Sequence, residues 1–319
     1  MLYSYLTVDG HLEVQPPEAP LADAIWIDLL SPLPQQVARV DALGVDVPSR
    51  QEMEEIELSN RLYHDDNAIY MTVMLPGMSH DKKPTSGPVT LILTAQTLVT
   101  VRHHSPTPFD TFAQHSGRSA AGCTTSGRVL LGLTEEIIGR LADLMEGIGK
   151  TLDDVGHHTF DLDVTQRPDD LRACLTDIGR QGERLNNVRL GLLTMERALS
   201  HFSQLPHVKA EGKSLPKLVA AQLRDIEALG VHADFLSQRI GLSTDTTLGM
   251  INLAQNSTAR ILSVVATLFM PPTLLSSIYG MNFVNMPELQ SEWGYPVMLL
   301  TMLISALGTY RFFKWKGWL

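Results

Sequence analysis

Tyr279-Gly280-Met281-Asn282 stands between two charge-free apolar runs near the C-terminal end of the chain. The first run carries no charged residue from Ile261 to Pro287, and the second carries none from Trp293 to Tyr310. A helix needs about 20 residues to cross a ~30 Å hydrocarbon core at ~1.5 Å per residue. Both runs reach that length. One such segment can be hidden in a soluble core, but two joined by a short loop read as a transmembrane hairpin. The polar Gly-Met-Asn at its turn then becomes a candidate ion-handling site.

The basic residues orient the hairpin. Arg260 precedes the first run, Arg311, Lys314 and Lys316 follow the second, and the loop between has neither Lys nor Arg. Positive-inside places both termini in the cytoplasm and the Gly-Met-Asn loop outside. Trp293, Tyr295, Trp315 and Trp318 lie at or near the ends of the second run, as an aromatic belt would. Met1 to Gly10 lacks a basic start and carries Asp9, so it reads as a strand rather than a signal peptide.

Of 319 residues, those from Arg260 onward carry a net charge of +2, so in a chain at −10 the remainder carries −12. An acidic body argues against nucleic acid, whose phosphates call for Lys and Arg, and suits attraction of cations. The two cysteines, Cys123 and Cys174, fit a reduced cytosolic placement better than a disulfide framework.

Residues 1–120 read as a cytoplasmic α/β domain. Strands are predicted at Tyr3–Val8, Ala24–Leu29, Ile69–Met74, Val89–Thr94 and Thr97–Val101, the last two as a hairpin through Ala95-Gln96. Helices are predicted at Pro34–Leu43 and Arg50–Leu58, and the Ser/Thr/Gly-rich segment Gly117–Gly127 is the expected boundary. Residues 121–213 read as a long-helix hairpin, Val129–His157 and Pro168–Phe202, turning around Phe160–Arg167. Pro206 and Glu211-Gly212-Lys213-Ser214 break the pattern, and a stalk helix follows over 214–260. On it Leu223, Ile226, Ala233, Leu236, Ile240, Thr247, Met250, Ala254 and Ile261 form a heptad-like seam that runs into the first span. The remaining boundaries are 261–281 for the first span, 282–293 for the outer loop, 294–313 for the second span and 314–319 for a basic tail.

Within the first span, Pro271-Pro272 frees backbone carbonyls, which a membrane tolerates where hydroxyls, neighbouring helices or a wet lumen satisfy them. Thr273 places a hydroxyl beside them. One helix face carries Asn256, Ala259, Leu262, Ala266, Met270, Thr273 and Ser277. It is polar at one end, apolar in the middle and hydroxylated at the other, a pattern that fits a pore lining as well as a lipid-facing row.

These residues, taken with Tyr279-Gly280-Met281-Asn282-Phe283, Met286-Pro287-Glu288-Leu289, Gly294-Tyr295-Pro296 and the terminal Lys314-Trp315-Lys316-Gly317-Trp318-Leu319, resemble the CorA family of divalent-cation channels. Thr267-Leu268-Phe269-Met270-Pro271-Pro272-Thr273 resembles the family's first span. Trp26-Ile27-Asp28-Leu29 and Arg50-Gln51-Glu52-Met53-Glu54-Glu55-Ile56 resemble its N-terminal domain. The resemblance implies a bacterial-type inner-membrane homopentamer with an α+β cytoplasmic domain, five first spans around a pore and five second spans outside.

It further implies a ring of Asn282 at the outer mouth, with Gly280 and Met281 shaping the turn. Asn256 and Thr273 match polar pore positions, and Leu262 and Met270 match hydrophobic ones. Ala259 departs from the family, which often has a larger apolar residue there. Glu288 in the outer loop is a candidate for concentrating cations. The implied function is Mg2+ transport, with Co2+ or Ni2+ as further substrates, influx driven by membrane potential and gating by cytoplasmic divalent ions. Mg2+ is then both substrate and regulatory ligand, and no covalently bound cofactor is expected. Asp225, Glu227, Asp234 and Asp245 supply acids on the long helix, but no regulatory pair can be assigned by motif. A zinc transporter of the related ZntB kind and a non-conducting membrane-anchored sensor are the alternatives.

Other constellations do not yield an enzyme. Gly149-Lys150-Thr151 imitates the end of a P-loop, but the first glycine is replaced by Leu144 and the segment lies on a predicted helix, which excludes ATP binding there. His157-His158 with Asp153, Asp154, Asp161 and Asp163 has no defined metal-ligand spacing and reads as a solvated helix tip. His103-His104 reads as strand-end surface.

Overall fold

A computed structural model describes residues 1–55, 62–65, 67–160, 168–205, 214–281, 286 and 291–318. The strands are β1 (Leu2–Val8), β2 (His11–Val14), β3 (Trp26–Leu30), β4 (Leu62–His64), β5 (Ile69–Met78), β6 (Pro84–Leu93) and β7 (Leu98–Arg102). The α-helices are α1 (Pro34–Asp41), α2 (Arg50–Glu54), α3 (Pro108–His115), α4 (Ser126–Phe160), α5 (Pro168–Ser203), α6 (Ser214–Tyr279) and α7 (Gly294–Trp315). Two compact units result. One comprises Met1–Val155 with Asp177–Ser243, and the other Gly156–Thr176 with Thr244–Leu319.

In the first unit the strands form one mixed sheet in the order β2-β1-β3-β7-β6-β5-β4. Only β3 and β7 run parallel, from Trp26 opposite Leu98 to Leu30 opposite Arg102. Every residue of β7 is buried, as both faces of the sheet are covered. On one face Ile27, Leu29, Tyr70, Ile92, Val99 and Val101 pack with Val40 of α1 and Met53 of α2. On the other, Trp26, Met71, Val73, Leu91 and Leu98 share a core with Phe109 and Phe112 of α3, Leu133 and Leu141 of α4, Leu192 of α5 and Ile226 of α6. Residues 1–120 thus have one core of their own, against α1 and α2, and on the other sheet face share a core with the long helices. The apolar stripes of α4, α5 and α6 need a partner surface, and the sheet face supplies it.

Local chemistry explains the turns. Asp9 (φ 48°) and Gly10 (φ 81°) join β1 to β2, the positive-φ pair that a two-residue hairpin of primed type demands. Ser49 and Glu52 cap α2 reciprocally: the Ser49 N–H donates to Glu52 Oε2 (2.7 Å) and the Glu52 N–H to Ser49 Oγ (3.4 Å). The bond from the Ser49 N–H first, and then the Ser49 hydroxyl, hold the Glu52 carboxyl below its ordinary range. This helix is shorter than predicted. It ends at Glu54, because Glu55 turns to extended backbone (ψ 133°), while the rest of the predicted helix, 56–58, lies outside the described residues. The hairpin at Ala95-Gln96 forms as predicted, closed by the Thr94 hydroxyl, which accepts from the Thr97 N–H (2.9 Å) and donates to the Thr97 carbonyl (2.9 Å).

His104 also differs from its sequence reading. It is buried rather than at the surface, with Nε2 2.9 Å from the Leu75 carbonyl. The bare backbone of two β-strand glycines makes its niche: a Cβ on Gly77 would come within 2.8 Å of the ring, and one on Gly87 within 3.1 Å.

The long helices follow the predicted pattern closely. α6 is unbroken over 66 residues and passes from the first unit into the second. Of its seam, Ile226, Ala233, Leu236 and Thr247 are buried and Leu223, Ile240, Met250 and Ala254 half-buried, but Ile261 is 55% exposed. Segments 161–167 and 206–213, where turns were expected, lie outside the described residues.

Candidate functional site

The site is built on the apolar ends of α6 and α7. Each contains an 18-residue window long and apolar enough to span a membrane, and only 6% of each window is buried within the protein. A core helix of a soluble protein would bury most of such a window. Left in water this surface would be a large hydrophobic liability, and a bilayer removes that cost.

From Ile261 to Trp318 only Val264 and Phe313 are buried among the described residues. They head half-buried lines at helical spacing: Val264, Leu268, Pro271, Leu275 and Tyr279 on α6, and Met298, Met302, Ser305, Thr309 and Phe313 on α7. The sequence reading does not single out these lines, since apolar residues cover all sides of both helices. Pairwise packing alone distinguishes the faces.

The predicted pore row behaves differently. Asn256, Ala259, Leu262, Ala266, Met270, Thr273 and Ser277 are all exposed, Leu262 at 70% and Met270 at 65%. At ~100° per residue, Leu262 to Ser277 fall on the face of α6 opposite its half-buried line. Among the described residues of the single chain nothing covers this row.

Three hydroxyls in the apolar stretch of α6 donate within the helix. Ser263 Oγ donates to the Ala259 carbonyl (2.9 Å), Thr267 Oγ1 to Ser263 (2.8 Å) and Thr273 Oγ1 to Phe269 (2.7 Å). Pro271 and Pro272 lie inside the helix and withdraw the N–H groups that would bond Thr267 and Leu268 carbonyls. Thr273 therefore serves Phe269 and not a carbonyl freed by the prolines.

At the end of α6 the Gly280 N–H bonds the Ser276 carbonyl (2.9 Å) and the Met281 N–H that of Ile278 (3.2 Å). A Cβ on Gly280 would lie 3.3 Å from the Ser276 oxygen, so the close turn favours glycine on grounds of space. Met281 is 47% exposed. Asn282 and Glu288, with the rest of 282–285 and 287–290, lie outside the described residues.

The secondary candidates resolve into ordinary contacts. Lys150 lies within α4 and pairs with Glu146 one turn away (2.6 Å). Asp153 accepts from Arg239 (2.6 Å) and Asp234 from Arg189 (2.6 Å). Asp161 and Asp163 lie outside the described residues, and among the described ones no three metal-ligating side chains gather. Among the described residues Cys123 and Cys174 form no disulfide.

A mixed-sheet body joined through one continuous helix to a pair of exposed apolar helices, the first ending at Gly-Met, defines a two-span membrane protein. Within that class the chain belongs to the CorA-like Mg2+ transporter protein family, whose family model matches residues 22–315. It is 32% identical over 311 residues to the magnesium transport protein CorA of Escherichia coli strain K12, covering 97% of this chain and 96% of that one. The CorA magnesium transporter of Methanocaldococcus jannaschii shares the fold (TM-score 0.69, 17% identity, 100% of this chain and 99% of that one). The ZntB cytoplasmic domain of Vibrio parahaemolyticus is a more distant neighbour (TM-score 0.57, 12% identity, 77% of this chain and 96% of that one).

Proposed function

We propose that this protein transports Mg2+ across the inner membrane through a pore lined by α6. The observation that carries the reading is the uncovered row from Asn256 to Ser277, which lies opposite the half-buried line and leads to Gly280-Met281-Asn282. Copies of the chain arranged around an axis would turn that row inward. A homopentamer, with α6 spanning at 261–281 and α7 at 294–313, is the assembly the family resemblance implies. Positive-inside puts both termini in the cytoplasm.

Each residue type suits its task. Mg2+ demands octahedral oxygen and sheds water reluctantly, so the outer mouth meets a hydrated ion. A ring of Asn282 carbonyls accepts hydrogen bonds from that water without a full charge to trap the ion. Gly280 and Met281 position the ring, and Glu288 raises the local cation concentration. Leu262 and Met270 narrow and dewet the pore when it closes, and Asn256 and Thr273 supply polar steps on either side. A dication moving inward gains ~4.6 kcal/mol per ~100 mV of inside-negative potential, so no ATP is needed. Cytoplasmic Mg2+ bound to the acidic body favours the closed state if it binds that state more tightly.

The test is potential-driven Mg2+ uptake into dye-loaded proteoliposomes, comparing native protein with Asn282→Ala and running Zn2+ in parallel. Mg2+ uptake that the substitution abolishes is expected. Zn2+ uptake without Mg2+ would move the protein to the zinc branch, and no flux of either ion from assembled protein would leave a non-conducting sensor.

A further inference from the structure

His64 on the edge strand β4 and His201 near the end of α5 bring their rings together, with centroids 4.8 Å apart and planes inclined by 51°. Nε2 of His201 is shut off from solvent and has no hydrogen-bond partner among the described residues. No described group bonds the His64 ring either. His64 is exposed, so the pair can be reached from solvent on one side. An orphaned buried nitrogen calls for an explanation, and an ion or an ordered water supplies one.

The chemistry favours an ion of a particular kind. Burial, and then the neighbouring His64, lower the pKa of His201. Imidazole nitrogens are borderline ligands that suit Zn2+, Co2+ and Ni2+, whereas Mg2+ prefers oxygen. With N–metal bonds of ~2.1 Å at a roughly tetrahedral angle, two imidazoles on one ion have centroids ~5 Å apart. The observed separation of 4.8 Å is close to that spacing.

We propose that His64 and His201 form a two-imidazole site for Zn2+, Co2+ or Ni2+, with water completing the coordination, that clamps β4 to α5. Such a site registers transition metals separately from Mg2+ and stands independently of the conduction reading.

Calorimetric titration of the full-length protein in detergent with Zn2+, under excess Mg2+ to occupy oxygen sites, tests it. The native chain binds one Zn2+ equivalent that His64→Gln and His201→Gln each weaken about tenfold or more. Zn2+ also raises the thermal midpoint of native protein but not of His64→Gln. His64 is exposed, so that variant decides the matter even if His201→Gln misfolds. Unchanged Zn2+ binding by folded His64→Gln, or no Zn2+ binding by native protein under Mg2+, overturns the site and leaves an ordered water beside His201.

Discussion

Arg102 Nη2 lies 2.9 Å from Asp28 Oδ2, and both side chains are 1% exposed. The pair joins β7 to β3, the only parallel neighbours in the sheet. Thr100 Oγ1 donates to Asp28 Oδ1 (2.7 Å), Trp26 Nε1 donates to Thr100 Oγ1 (3.1 Å), and Arg102 also reaches Asp110 of α3 (3.3 Å). Burial works against the guanidinium charge, but Asp28 and Asp110 outweigh it, and the Arg102 pKa is raised. The Trp26-Ile27-Asp28-Leu29 segment thus combines apolar packing with one buried charge that has a dedicated partner.

Removing one member of a buried pair strands the other, at a cost of ~3–5 kcal/mol, whereas replacing both by apolar residues is far milder. Asp28→Ala will therefore lower the thermal midpoint sharply, and Asp28→Leu/Arg102→Met will recover most of the loss. Thermal unfolding of the three proteins in detergent, followed by tryptophan fluorescence, checks the order.

Burial first, with added repulsion from Arg102, His103 and Arg50, pushes the pKa of His104 down, against the raising effect of its bond to Leu75. The folded protein then binds fewer protons here than the unfolded chain. The contribution of His104 is complete above the unfolded value of ~6.5 and is lost as pH falls through the lower, folded value. Thermal midpoints measured from neutral to acidic pH will fall, and His104→Gln will flatten part of that slope. His103 and His201 are shifted in the same direction and retain the rest.

Gln222 of α6 ties the stalk helix to α4 through a buried bond from Thr134 Oγ1 (2.6 Å) and one to the Leu131 carbonyl (2.8 Å). Gln222→Ala removes both of these bonds, leaves the Thr134 hydroxyl its bond to the Leu131 carbonyl within α4 (2.9 Å), and will cost ~1 kcal/mol. Replacing both side chains, in Gln222→Leu/Thr134→Val, will cost less than the single change. Unfolding midpoints of the single and double variants decide between these outcomes.

The face assignment of α6 predicts a contrast between neighbours. Leu262 lies on the uncovered row and Val265, 45% exposed, lies to its side. With the row lining the pore as proposed, Leu262→Ala will raise Mg2+ flux severalfold in proteoliposomes, while Val265→Ala will leave it near the native level. Equal effects of the two would remove the row from the pore.

Much of the architecture is legible locally because helices and hairpins are short-range objects. The 3.6-residue recurrence of Ile226, Ala233 and Leu236 marks the stalk face, and those residues are buried. Thr94 to Thr97 closes the predicted hairpin. Asp9-Gly10 carried an equally clear turn signal that the strand assignment passed over. His104 was misjudged because the glycines that accommodate it, Gly77 and Gly87, are distant in the chain.

By itself the sequence determined the two apolar runs, the position of Gly-Met-Asn after the first and the charge asymmetry around them. Each depends on residue type and spacing along one segment, which solvent transfer energies read directly. Only the tertiary structure decided that β3 pairs with β7, that Asp28 meets Arg102, and which face of α6 stays uncovered. Those outcomes depend on which distant segments share a surface, and uniformly apolar helices or alternating strands are compatible with several such pairings until packing selects one.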